Sequence, residues 1–517
     1  MESNTVVKMK KPIILGILLT IIIATSLVVG YTQNWFGQPA QLPQPTPTPT
    51  TTPQSTSTPE PSTSTQPTST PSATTTPNPT ATPHPTSVAS LNLVLEVYGN
   101  ANMDDKIDSD DITYVNNIIA GTANSNQFAD ANRDGVINTN DLSQINAIIS
   151  GQATQISMLD GNGKNITVSL PANRIIIEYI QNAELARILE LENKVVGFDY
   201  AVDKLRSIYF PDRPDIVNVG KMNTPDYEAV LNLNPDLLLT FSNSPVDIAE
   251  KTSKLPGVDV VFLGLYYPNV TAPEKSQFLQ GILKAGYIFN KVPKATEYAN
   301  WLVNLTSTIN AKTSTIAEAN KHSVLLYTYP YTPSTTIKEY ATIDTLGQVC
   351  ILAGGSNVAA SFPSYLNSTT VAVDAETVLD QDPEYIFLHT VRYTFGGFTY
   401  ADPVQGIDAN DITSIDTCLK DYMSQEVFAD VSAFKNNHVY IIAGDFRNNA
   451  MGGVLGAVYL ANVLYPDLFA DLNAENVHQE YITKYLRLNY NLDNSGIFLY
   501  PALNISGDLV GIPNGAT

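Results

Sequence analysis

The sequence predicts an α/β molecule of two parallel-sheet lobes bridged by one long helix, preceded by a small all-α module of duplicated loops and a transmembrane helix. Three observations predict it. Beyond residue 155, short apolar runs alternate with helical periodicity, as in parallel sheets covered on both faces. Residues 293–320 keep helical spacing without an internal glycine or proline. The two halves also share a phrase, YEAVLNLNPDLLL at 227–239 and AETVLDQDPEYIF at 375–387. Each places a glutamate in the first turn of a short helix and then a proline that opens a strand.

Composition narrows the function. The 517 residues carry 28 Lys and Arg against 50 Asp and Glu, a net charge of −22. Nucleic-acid phosphates and anionic membrane surfaces both demand the opposite sign. Two cysteines, Cys350 and Cys418, exclude a disulfide-stapled mini-domain, a Cys-rich zinc module and a Cys-ligated iron–sulfur cluster. The sequence leaves open whether they pair. Five histidines argue against a multi-His metal site.

The elements follow in order. Residues 1–11 carry Lys8, Lys10 and Lys11, and an uncharged run over 12–31 is just long enough to span a bilayer. Lysines on its N-terminal side orient a single-pass anchor with the rest of the chain on the outer face of the cytoplasmic membrane. A cleaved export signal is the alternative. Residues 37–90 form a Pro/Thr/Ser-rich tether, and 39–85 hold 14 of the 33 prolines. Such a tract buries no apolar surface and acts as an extended spacer.

Residues 91–152 contain an internal repeat with an offset of 30. The second copy sets Asp130, Asn132, Asp134, Asn138 and Asp141 at loop positions 1, 3, 5, 9 and 12. Gly135 stands at the sharp turn, and Val136 offers its carbonyl at position 7. The first copy supplies Asn100, Asn102, Asp104, Asp108 and Asp111 with the carbonyl of Lys106, and Asp105 replaces the glycine. This is an all-oxygen cage of the kind Ca²⁺ takes, twice. Nine acids against two bases give the stretch a net charge of −7, which two calcium ions would offset by more than half. The tandem loops, each leading into an apolar helix, resemble a type I dockerin. The resemblance implies calcium-dependent folding, a module separate from the two lobes, and a cohesin-bearing partner; a calcium-stabilised stalk is the alternative.

Residues 156–290 and 321–505 read as the two lobes. A hairpin turns at Gly-Asn-Gly (161–163). Strands are expected near 174–179, 195–200, 237–241, 258–263, 322–329, 385–390 and 438–444, with helices between them. In their order these segments, with LGQVCILAGGSNV and NVLYPDLF, resemble the iron-siderophore and vitamin B12 class of ABC-importer substrate-binding proteins, the class III periplasmic binding proteins. The resemblance covers about 156–490. It implies little hinge closure, a ligand between the lobes, and an ABC permease contacted by the glutamate of each shared phrase, Glu228 and Glu376. For either glutamate alone, attraction to the helix dipole would be explanation enough.

Ligands of open α/β sheets sit beyond the carboxyl ends of the strands. That rule nominates Tyr179, Gln181, Asn182, Tyr200, residues 241–243 and Tyr267 from the first lobe. From the second it nominates Tyr329, His389, Arg392, Tyr393 and Arg447. Aromatic walls suit a large ligand with polar edges. The arginines suit ligand carboxylates, or else ordinary ion pairs within the protein. Met222 and His389 are placed like the axial Met and His of haem-carrying family members, and packing is their plainer role.

The ligand implied is a metal chelate of siderophore, corrinoid or haem type. A surface adhesion or scaffold component with a ligand-sensing head is the second reading. A chelatase-like enzyme is the third, but no Ser-His-Asp order, phosphate loop or clustered His/carboxylate set supports catalysis.

Overall fold

The computed structural model describes residues 91–266, 268–329, 336–390, 405–448, 453–505 and 507–516. The expected membrane helix and tether lie outside these residues. No described helix is long and apolar enough to cross a membrane.

The duplicated loops lead into helices Ser109–Ile119 and Thr139–Ile149. Each begins with a capping box. Asp108 caps the first while Asp111 reaches back to the Asp108 N–H, and Asn138 and Asp141 do the same in the second. Gly121 and Gly151 follow the helices at φ +73° and +68°, the left-handed exit that glycine permits.

This module is not separate from the first lobe, contrary to the expectation. Its buried Leu95, Val97, Ala101 and Ile145 belong to one continuous core with that lobe. Val97 forms an antiparallel bridge with Met158. The helix Gln277–Ile288 supplies the polar clasps. Gln280 accepts the Glu96 N–H at 3.1 Å and donates to the Val94 carbonyl at 2.6 Å. Lys284, fully buried, meets Glu96 at 2.7 Å. The Tyr287 hydroxyl accepts the Ile107 N–H at 2.7 Å. We expect Lys284→Ala to cost about 3 kcal/mol, the low end for breaking a buried pair because Glu96 keeps some water. A lowered urea midpoint at unchanged m-value would show it.

In the first lobe the hairpin Gln155–Leu159 with Asn165–Ser169 forms as expected. The five-stranded sheet is wholly parallel, in the order Val217–Asn218, Val195–Phe198, Ile175–Ile177, Leu237–Thr240, Asp259–Phe262. Its central strands are fully buried and apolar but for Thr240, because helices cover both faces.

The second lobe departs from the expected parallel sheet. Ser323–Thr328, Tyr385–His389 and Val439–Ile442 pair in parallel. Around them Thr336–Tyr340, Thr370–Asp374 and Leu499–Tyr500 pair antiparallel, making a mixed seven-stranded sheet with the short Ser356–Asn357. The outer strands alternate buried and exposed residues, the mark of antiparallel strands with one face in solvent. Glu339 is buried there, accepting the Leu326 N–H and the Asn357 amide, and burial holds its carboxyl well above the usual range.

The bridging helix runs Val292–Thr313, shorter than expected. The Ser314 and Thr315 hydroxyls donate back to the Ala311 and Lys312 carbonyls and compete with the next turn. Tyr298 and Trp301 on this helix pack against Tyr481 and Tyr485 of the second lobe. Cys350 and Cys418 are both free thiols, buried in different core clusters.

Candidate functional site

The shared phrase forms an Asp-capped short helix followed by a parallel strand in both lobes. Asp226 caps the helix Tyr227–Asn232 by accepting the Ala229 N–H at 2.9 Å. Asp374 caps Ala375–Gln381 by accepting the Thr377 N–H at 2.8 Å. Glu228 and Glu376 are each the second residue of their helix, and each is exposed. Among the described residues neither forms an ion pair.

The first lobe offers an aromatic wall and the second a held cation. Tyr179, the first residue of the helix Tyr179–Ile188, stacks on Phe241 with centroids 4.4 Å apart and planes 9° from parallel. Tyr266 adjoins Phe241 at 5.2 Å. The Tyr179 N–H donates to Asp199 at 3.1 Å. Burial, reinforced by Asp199, pushes the Tyr179 phenol up to about 12, and burial lifts the Asp199 carboxyl to about 7.

From the second lobe, Arg447 grips Asp344 through Nη2 at 2.5 Å and Nε at 3.1 Å, and its guanidinium lies 5.1 Å from the centre of the Tyr340 ring. The Tyr340 hydroxyl lies 2.7 Å from that of Thr328 and 3.0 Å from His389 Nδ1. Burial, with Arg447 nearby, drives the His389 imidazole down to about 3, so it is neutral. Tyr179 of the first lobe and Arg447 of the second are near enough for each to influence the other's charge. A cavity of about 510 Å³ also opens between the lobes, from Pro268, Asn269 and Thr271 to Thr342, Ile343, Gln348 and Ile351.

The other expected cleft residues divide. Tyr200 is 41% exposed, with the Lys204 ammonium 5.1 Å from its ring centre. Tyr329 is half-buried and donates to the Cys418 carbonyl at 3.2 Å. Gln181 and Asn182 are buried, and the Asn182 amide donates to the Glu178 and Leu239 carbonyls, so it backs the wall rather than lining it. Met222 is half-buried at the tip of the hairpin Gly220–Lys221 with Thr224–Pro225. His389 is wholly enclosed. Tyr267, Arg392 and Tyr393 lie outside the described residues. The sequence reading missed Tyr340, Asp344, Glu178 and Lys251. Asp344 was legible as a helix cap, since it accepts the Leu346 N–H, but not as the partner of Arg447.

The candidate calcium loops share most of their internal hydrogen bonds. The Asp104 N–H donates to Asn100 and Asn102, and the Asp134 N–H to Asp130 and Asn132. The carboxylates of Asp111 and Asp141 each accept two main-chain N–H groups. Lys106 and Val136 donate to Asp104 and Asp134. The loops differ at position 6, where Gly135 takes φ +88° and Asp105 does not turn left-handed but accepts the Leu91 N–H. Among the described residues no three His, Cys, Asp or Glu side chains converge as for a metal. The donors in these loops also include Asn and main-chain oxygens.

The periplasmic binding protein family matches residues 175–445, more than half of the chain and beginning after the duplicated loops. Molybdate-binding protein MolA of Haemophilus influenzae is 22% identical over 355 residues, covering 64% of this chain and 91% of MolA. The TroA-like periplasmic binding protein FepB from Veillonella parvula shares the fold with a TM-score of 0.52 at 19% identity, over 66% of this chain and 98% of that one. A periplasmic solute-binding protein from the same organism gives 0.50 at 18%, over 65% and 94%. With its two lobes and single bridging helix, the chain belongs to the periplasmic binding protein family.

Proposed function

We propose that the chain is the capture receptor of an ABC importer, not an enzyme. It holds a metal chelate of siderophore, corrinoid or haem type between its lobes and hands it to a permease that Glu228 and Glu376 engage. Residues 12–31 anchor it to the outer face of the membrane, and the tether gives it reach. The observation that carries the reading is the stack of Tyr179 on Phe241 with Tyr266 beside it, together with the cavity that opens between Asn269 of the first lobe and Thr342 of the second. Such a wall offers area to a large ligand with polar edges.

MolA is named for molybdate, which raises a bare oxyanion as a second ligand. Arg447 already spends its charge on Asp344, and this favours the larger chelate. The enclosure of His389 favours grip by aromatic walls over axial haem ligation by Met222 and His389. The test is a binding titration of residues 91–517 against ferric siderophores, cobalamin, cobinamide, haem and molybdate. Saturable binding of one chelate class is expected. Binding of molybdate alone, or of none, would overturn the ligand class. Arg447→Ala is expected to destabilise the fold by about 3–5 kcal/mol, because it strands the buried Asp344 carboxylate.

The duplicated loops are proposed to hold two Ca²⁺. Their donor set fits a hard cation, and Asp111 and Asp141 are buried carboxylates without a basic side chain among their hydrogen-bond donors. The second loop, with Asp130 and Gly135, is the tighter site. A cohesin-type partner would find Ile119 and Ile149, equivalent in the repeat and each 45% exposed.

A further inference from the structure

Tyr179 has φ +71°, a left-handed conformation that an aromatic side chain adopts only when its surroundings enforce it. A buried charged cluster adjoins both stacked rings through Glu178, which precedes Tyr179, and Thr240, which precedes Phe241. Glu178 and Lys251 are both buried and meet at 2.8 Å. The same Glu178 oxygen accepts the Thr240 hydroxyl at 2.7 Å and the Phe241 N–H at 3.4 Å. Lys251 also touches the Thr240 hydroxyl at 3.0 Å and Asp247 at 3.1 Å. The Glu178 carboxylate holds the Phe241 backbone directly, while the Tyr179 N–H is held by Asp199 at 3.1 Å.

We propose that Glu178 and Lys251 are positioning residues for ligand binding, which hold Tyr179 in its left-handed turn so that its ring stands stacked on Phe241 as a preformed wall of the cleft. The role rests on the cleft reading given above. A buried ion pair adds little net stability over apolar residues of the same volume, so its value here is the geometry it imposes. A wall already in place spares the ligand the cost of ordering it.

Two experiments test this. Tyr179→Gly and Tyr179→Ala separate strain from packing, because both remove the ring and only glycine accepts the backbone. The glycine variant is expected to melt above the alanine variant, the reverse of their usual order in a helix. The volume-conserving double variant Glu178→Gln with Lys251→Met is expected to unfold cooperatively yet bind the ferric siderophore, corrinoid or haem that saturates the wild type at least tenfold more weakly. An alanine variant that melts higher, or a double variant that binds like wild type, overturns the positioning role alone. If the double variant fails to fold, Thr240→Val, which removes the hydroxyl shared by both charges, replaces it with a several-fold loss expected and an unchanged affinity overturning the role. A wild type that binds no chelate overturns the ligand reading and this role with it.

Discussion

Glu228→Ala and Glu376→Ala are each expected to abolish ligand-stimulated transport in a reconstituted permease assay, while ligand affinity stays within a few-fold of wild type. Both side chains are exposed, and both occupy the second position of a short, Asp-capped helix, one in each lobe. Neither spends its charge on an ion pair among the described residues. The caps are Asp226 and Asp374, so removing either glutamate leaves the helix start satisfied. The folding cost is the dipole interaction alone, about 0.3–1 kcal/mol. At an interface with a basic partner, losing a charged hydrogen bond costs several times as much. If both variants instead lose ligand, the glutamates belong to the cleft.

Calcium is expected to raise the unfolding temperature of the whole region 91–517 in one transition, and chelation to lower it in one. A hundredfold excess over Kd stabilises by about 2.7 kcal/mol per ion. The loops and first lobe share a core, and the Lys284–Glu96 pair and the bond from Ile107 to Tyr287 tie the first loop to the helix Gln277–Ile288. Energy gained in the loops therefore reaches the lobe. Asp141→Ala should remove most of the shift, because it deletes a donor of the second loop. Calorimetry showing two transitions, with only the smaller one moved by calcium, would mean that the clasp is too weak to couple them. No calcium response at millimolar concentration would remove the ions from the proposal.

Much of the fold was legible because it is written in local periodicity. The strands at 175–177, 237–240 and 385–389, the helices of the shared phrase and the hairpin at 155–169 stand where the apolar spacing and the turn residues put them. The matched glutamates were legible because a duplication marks itself. The outer strands of the second lobe were not, since five alternating residues such as TIKEY read equally well as loop. The cleft was legible as a zone and not as a set of contacts. The sequence left Arg447 open to a ligand carboxylate or to an ion pair within the protein, and its partner is a residue 103 positions away.

The sequence by itself determined the two-lobed α/β order, the bridging helix, the two glutamates and the oxygen spacing of the loops. Each rests on residues that are neighbours in the chain or that a repeat brings into register. Only the tertiary structure decided that the loop module is fused to the first lobe, that Arg447 is paired with Asp344, and that Tyr179 is turned left-handed over the buried Glu178–Lys251 pair. A lysine in the sequence reads as a solvated charge. Whether it is buried depends on which distant carboxylate meets it, and no local pattern carries that information.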